Sequence, residues 1–158
     1  MNKPESQYVR LSREYADMEN SPIDDISAIP KEGTNLTQWE CVIIGPQGTF
    51  YENGIFLLDL VLPPEYPHKS PIVKFRTPVY HPNIDLQGNI CVSILKDAWA
   101  PTLTISKVLL SISSLFMDPN PGDPLRLDVA REYQENIASF EYNARNWTYH
   151  YATENQTF

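Results

Sequence analysis

Ile55-Phe56-Leu57-Leu58-Asp59-Leu60-Val61-Leu62 is apolar on both faces except at Asp59. A strand of that kind belongs inside a sheet, with a neighbour on each side. Asn53-Gly54 before it is a strong turn signal, and Pro63-Pro64 stops it. Further upstream, Trp39, Cys41 and Ile43 alternate with Glu40 and Val42, a half-buried strand that ends at Gly45-Pro46. A short strand is expected over Ile26 to Pro30, before the polar turn Lys31-Glu32-Gly33-Thr34-Asn35, and a fourth over Ile72 to Arg76. Sequential strands with short links predict an antiparallel meander.

Helices flank that sheet. Tyr8, Leu11, Tyr15 and Met18 recur at helical spacing over residues 6–19, with Arg10, Arg13, Glu14 and Asp17 on the other side, and Asn20-Ser21-Pro22 ends the element. Between Arg76 and about Leu103 no regular element is expected, and a loop that long in a compact domain is usually functional. Ile105, Val108, Leu109, Ile112, Leu115 and Phe116 then form one apolar stripe, closed by Asp118-Pro119. Leu125 to Tyr133 and Ile137 to about Tyr151 complete the helices. The class is α+β: an N-terminal helix, a four-stranded meander, a long active-site loop and three C-terminal helices. Residues 1–152 read as a single domain and 153–158 as a short polar tail without an assignable role.

Composition narrows the function. A chain of 158 residues suits one domain. Its net charge of −8 disfavours nucleic acid, whose phosphates need Lys and Arg clusters. No apolar run approaches the ~20 residues needed to span a bilayer, and Met1 to Ser6 lack the apolar stretch of an export signal. Cytosol or nucleus is the expected location, with the two cysteines as independent thiols. His68, His81 and His150 are scattered, so no metal site is expected, and no Gly-x-x-x-x-Gly-Lys loop is present to hold ATP.

Chemistry concentrates in the long loop, where His81-Pro82-Asn83-Ile84-Asp85-Leu86-Gln87-Gly88-Asn89-Ile90-Cys91 puts a lone cysteine just beyond a rigid turn. Free cysteine is often only a small buried hydrophobe, which suits Cys41 on its strand. Cys91 differs, because Gly88-Asn89 predicts a tight turn that would present its thiol to a bulky partner. Asn83 can bond its own backbone in a turn, and its amide can also meet an oxyanion. His81 is either a general base or, as the sequence favours, a side chain held by neighbouring backbone groups. Asp123 before Pro124 has the pattern of a helix N-cap. Its carboxylate could also orient or deprotonate an incoming lysine amine.

These residues resemble the ubiquitin-conjugating enzymes from the first helix to about Tyr151. The resemblance is carried by Trp39 with Ile44-Gly45-Pro46, Tyr51-x-x-Gly54, Pro63-x-x-Tyr66-Pro67-x-x-x-Pro71 and Tyr80-His81-Pro82-Asn83. It continues through Gly88-x-Ile90-Cys91, Trp99-x-Pro101, Leu109-Leu110-Ser111-Ile112 and Asp118-Pro119-Asn120-Pro121-x-Asp123-Pro124-Leu125. The resemblance implies that Cys91 accepts the C-terminal glycine of ubiquitin as a thioester from an activating enzyme. Cys91 would then pass it to a substrate lysine with help from a ligase. Cys91, Asn83 and Asp123 would be catalytic: Asn83 supports the oxyanion or the loop that bears it, and Asp123 positions or deprotonates the lysine. Supporting the loop would fall to His81, Pro82 and Ser93. Catalysis would be mostly orientation, since a thioester is already activated, and no His–Cys ion pair is expected. No cofactor would be bound, ATP being consumed by the activating enzyme, and the protein would act as a monomer.

Docking of ligase and activating enzyme would use Arg10 and Arg13 of the first helix and two loops, represented by His68, Pro101 and Thr102. Several residues depart from the common pattern. Many members carry an aromatic at the place of His68, Ala at that of Thr102, and an acid where this chain has Ser93. Ubiquitin fits better than another modifier. The SUMO-conjugating relative has extra residues between its cysteine and tryptophan, and the NEDD8-conjugating relative a long N-terminal extension. The remaining alternatives are a modifier of the NEDD8 type, a non-catalytic scaffold that binds ubiquitin or a true conjugating enzyme, and a cysteine hydrolase with Cys91 as nucleophile. No hydrolase-like context surrounds that residue.

Overall fold

The structure, a computed structural model, describes residues 6–158. All but Ser6 of the segment read for an export signal therefore lie outside the described residues. Helix α1 (Gln7–Asn20) leads into strands β1 (Ile26–Pro30), β2 (Gln38–Ile44), β3 (Ile55–Val61) and β4 (Ile72–Phe75). A single 3-10 turn (Ser93–Leu95) interrupts the long connection to α2 (Ile105–Met117), α3 (Leu127–Glu135) and α4 (Ile137–Tyr151). All strand pairs are antiparallel in the order β1-β2-β3-β4, so the expected meander holds and β3 is internal. Asp59, the one polar break in β3, faces out and accepts from Arg76 Nε at 2.6 Å.

One face of the sheet presents Trp39, Cys41, Ile43, Phe56, Leu58, Leu60, Val73 and Phe75 to the core. The stripe of α2 closes over it: Ile105, Val108, Leu109 and Ile112 are fully buried, and the Phe116 ring lies 4.7 Å from that of Phe56 and 5.9 Å from Phe75. Burying an aliphatic side chain of this size contributes roughly 1.5–3 kcal/mol. That packing outweighs the weak helix propensity of Ile105, Val108 and Ile112. Thr104 caps the helix, accepting from Lys107 N at 3.2 Å, a contact of a kind worth about 1 kcal/mol.

Helix α1 departs from the expected face. Leu11 is buried and Tyr15 packs edge-on to Trp39 at 5.6 Å, but Tyr8 is exposed. Glu14, read as part of the polar side, is buried instead. It accepts from Tyr66 Oη at 2.6 Å, Ile105 N at 2.8 Å and Arg10 Nε at 3.1 Å, so the carboxylate replaces its lost water with three donors.

Residues 153–158 are also more than a tail. Gln156 Nε2 donates to Ile55 O and Thr153 O, both at 2.7 Å, and Thr77 Oγ1 donates to Gln156 Oε1. The chain end thus closes the start of β3. No described helix is long and apolar enough to cross a membrane.

Candidate active site

His81-Pro82-Asn83 forms the floor of the site, pinned to the C-terminal end of α2. The last four carbonyls of a helix have no partner within it, and His81 Nε2–H donates to one of them, Leu115 O, at 2.7 Å. Nδ1 accepts from Asn83 N at 3.0 Å. Both ring nitrogens are satisfied only in the neutral tautomer, and complete burial lowers the imidazole pKa to about 4. His81 is therefore a structural residue and no base for the thiol. Pro82 O accepts from Leu125 N at 2.8 Å and Arg126 N at 3.1 Å, which ties the same turn to the approach of α3.

Asn83 is fully buried, and its amide spends both hydrogens on the 120–123 segment, donating to Asn120 O at 2.8 Å and Asp123 O at 3.0 Å. Its Oδ1 accepts from Asn120 N at 2.8 Å. With no donor left over, the amide faces that segment and not the space above the sulfur. Of the two roles read from sequence, this geometry supports the loop and not the oxyanion.

Cys91 rises from the floor through a turn. Asp85 Oδ1 accepts from Gln87 N at 3.0 Å and Asn89 N at 2.8 Å, an Asx-type turn. Gly88 adopts φ 84°, and a Cβ there would fall 2.1 Å from Phe75 O. Only glycine lets this turn lie against the edge of β4, where Phe75 N donates to Gly88 O at 3.0 Å. Cys91 N then donates to Asn83 O at 2.8 Å.

The thiol does not stand proud of the surface as the sequence suggested. Cys91 is 6% exposed, roofed by two side chains. Lys96 Nζ donates to its Sγ at 2.9 Å, and Sγ donates to Asp123 Oδ2 at 3.2 Å. The roof is light. Its side chains are 49% and 71% exposed, and their ion pair spans 4.0 Å. Exposed pairs of this kind contribute about 0–1 kcal/mol, so an arriving partner displaces them at small cost. Cys41 is the contrast: it is wholly buried on β2, and burial pushes its thiol up to about 12.

Asp123 is not a helix cap. Helix α3 starts at Leu127 with Arg126 in the capping position, because the loop bonds from Asn83 and Pro82 hold 120–126 in irregular backbone. That leaves the Asp123 carboxylate free to reach the sulfur. Ser93 opens the 3-10 turn, and its carbonyl accepts from Lys96 N and Ala98 N, both at 3.0 Å, turning Lys96 back toward Cys91. Sequence reasoning missed Lys96, since no periodicity rule in irregular backbone predicts that fold-back.

The expected docking residues divide. His68, Pro101 and Thr102 are exposed, and Trp99 Nε1 joins their two loops by donating to Pro67 O at 2.9 Å. Arg13 is exposed on α1. Arg10 is instead spent inside the molecule: Nη1 donates to Pro101 O at 2.6 Å, Nη2 to Leu103 O at 2.5 Å and Nε to Glu14. It fastens α1 to the second loop rather than awaiting a partner.

A family model described as ubiquitin-conjugating enzyme matches residues 10–148. The chain belongs to the ubiquitin-conjugating enzyme family. Its fold is similar to the E2 domain of a Toxoplasma gondii ubiquitin conjugating enzyme, with a TM-score of 0.86 and 42% identity over 93% of this chain and 100% of that one. The loop, floor and roof described above thus occupy the fold of a ubiquitin-conjugating enzyme, a class of transferases.

Proposed function

We propose that this chain accepts the C-terminal carboxyl of ubiquitin on Cys91, as a thioester from the ATP-consuming activating enzyme, and passes it to a substrate lysine with a ligase. The observation that carries this reading is the convergence of an ammonium and a carboxylate, 2.9 Å and 3.2 Å away, on the sulfur of the one cysteine outside the sheet. In the acceptance step the Cys91 thiol gives up its proton and its sulfur attacks the acyl carbon of the activating enzyme's thioester. That enzyme's thiolate leaves and takes up a proton, and the lid of Lys96 and Asp123 parts. In the transfer step the Asp123 carboxylate lies where a lysine amine must lose its proton. Asn83 acts as a positioning residue, holding the segment that carries Asp123, with His81, Pro82 and Ser93 fixing the floor.

Ubiquitin is the modifier this reading favours, supported by the name of the similar enzyme and by the short run from Cys91 to Trp99. The exposed His68, Pro101 and Thr102 would form the ligase and activating-enzyme surface with Arg13. Two unpaired thiols, Cys41 and Cys91, fit a reducing compartment such as cytosol or nucleus.

The test is charging. Incubation with activating enzyme, ATP and ubiquitin should give an adduct that reductant removes and that Cys91→Ala abolishes. No adduct would mean a scaffold, and release of free product a hydrolase. A panel of ubiquitin-like modifiers in the same assay decides the modifier.

A further inference from the structure

Strand β1 ends the sheet, with β2 on one side and no strand among the described residues on the other. In an antiparallel ladder every second residue exchanges both backbone bonds with its partner, and the residues between turn theirs outward. Two bonds just beyond the ends of β1 fix the phase: Ile44 N donates to Asp25 O and Lys31 N to Gln38 O, both at 2.8 Å. Ser27 and Ile29 therefore bond β2. The Ala28 N–H and the carbonyls of Ile26, Ala28 and Pro30 point away from it, while Ile26 N turns back to Ile23 O at 3.3 Å. A row of outward backbone groups is a template for another strand.

Beside that edge lies a cavity of about 260 Å³. Tyr15 and Met18 of α1, Ile26 and Ala28 of β1 and Leu109 of α2 give it an apolar lining, and Glu19 is the one charged side chain among the described residues that line it. The cavity opens on the helix side of the sheet, because Ile26 and Ala28 stand opposite the buried Ile43 and Cys41 and share their face. Small-molecule sites usually occupy roughly 300–1,000 Å³, so this one suits a single large apolar side chain. Its α1 end is negative. Asp17, Glu19, Asp24 and Asp25 are exposed there, and the last turn of α1 holds no basic residue to offset the helix C-terminus.

We propose that this groove docks an extended segment of a partner protein as a fifth strand, antiparallel to β1. The segment places one large apolar side chain in the cavity and a basic residue on the C-terminal side of it. Main-chain bonds hold such a segment and the pocket selects its side chain. The segment residue opposite Ala28 donates to the Ala28 carbonyl and accepts from its N–H, and its side chain lies on the same face, over the cavity. The residues two before and two after it donate to the carbonyls of Pro30 and Ile26. Running antiparallel, the segment then heads for the end of α1, where its basic residue meets Glu19, Asp24 and Asp25. None of the lining residues takes part in the site around Cys91 or in the expected docking loops, so the groove is a separate surface.

The probe is the peptide acetyl-Thr-Thr-Phe-Thr-Lys-Arg-amide, titrated into the isotope-labelled full chain and followed by NMR. In the free protein the Ala28 amide should exchange with solvent faster than those of Ser27 and Ile29, and saturating peptide should slow it about tenfold or more. The same residues in reverse order, and a version ending in Glu-Glu, should each bind about fivefold more weakly or worse. Ala28→Pro removes the outward N–H without breaking a ladder bond and should weaken binding about tenfold. Glu19→Lys, an exposed change that leaves the strand intact, should weaken it about fivefold. Val42→Gln, on the outer face of the sheet, should leave it unchanged. The proposal is overturned by a peptide that does not bind, by binding that leaves Ala28 exchange unslowed, by equal affinity for the reversed peptide, or by a loss in Val42→Gln that Glu19→Lys does not show.

Discussion

Two polar clusters in this protein use the same kinds of group to opposite ends. Around Glu14, a carboxylate, a guanidinium, a phenol and a backbone amide close on one another inside the molecule, with Arg10 and Glu14 side chains only 14% and 6% exposed. Around Cys91, a carboxylate, an ammonium and a thiol meet at the surface, and the two charged members are 49% and 71% exposed. In the first cluster every bond is expensive to break, because an unpaired buried charge has no water to return to. In the second, each charged group recovers its hydration on leaving, so the cluster can open around the sulfur at small cost. Burial makes the first a fastener of α1, the Tyr66 loop and α2. Exposure leaves the second free to open.

The sharpest break of that contrast is Glu14→Ala. Removing the acceptor strands Arg10 Nε, the Tyr66 hydroxyl and Ile105 N–H, and leaves the guanidinium charge without its counter-ion. Stability should fall by about 3–5 kcal/mol in urea unfolding, as for other broken buried pairs. The folded fraction should still charge, and a change in charging with unchanged stability would erase the distinction between the clusters.

His81 gives the next largest effect. Its folded pKa of about 4 lies below the ordinary 6.5, so between those values the unfolded chain binds a proton that the native state refuses. Stability is therefore complete above pH 6.5 and declines as pH falls toward 4, by about 3 kcal/mol over the full window. Nitrogen-detected NMR should find this ring neutral, protonated at Nε2, at pH 5; a charged ring at that pH would remove it from the floor of the site.

Asp123→Asn should change stability by less than about 0.5 kcal/mol, as expected for an exposed side chain. Discharge to free lysine should nevertheless slow about a hundredfold, ~2.7 kcal/mol in the barrier, if the carboxylate takes the proton. Equal discharge rates would reduce Asp123 to part of the lid.

Pattern reading succeeded where contacts are local or periodic. The two-faced run at Ile55–Leu62, the alternation at Trp39–Ile43 and the stripe of α2 each repeat with the period of the element they form, and each lies where expected. The motif residues around Cys91 were legible as a set, because a turn such as Asp85–Asn89 is closed by neighbours in the chain. Apart from Lys96, which folds back on Cys91 through irregular backbone, the main errors came from residues whose partners lie far along the sequence. Arg10 bonds carbonyls 91 and 93 residues away, Glu14 an amide 91 away, and the Asn83 amide a carbonyl 40 away. Asp123 looked like a cap because nothing nearby reveals that Pro82 and Asn83 hold its loop open.

What the amino-acid order determined alone is the α+β meander, the family and the identity of the thiol on which the proposed chemistry turns, since these follow from periodicity, ordered motifs and short-range turn geometry. Tertiary structure decided which carboxylate is a buried fastener and which stands exposed beside the sulfur, that the Asn83 amide is already spent, and that a lysine lies against that sulfur. Those outcomes depend on whether water can reach a group once distant segments have packed around it.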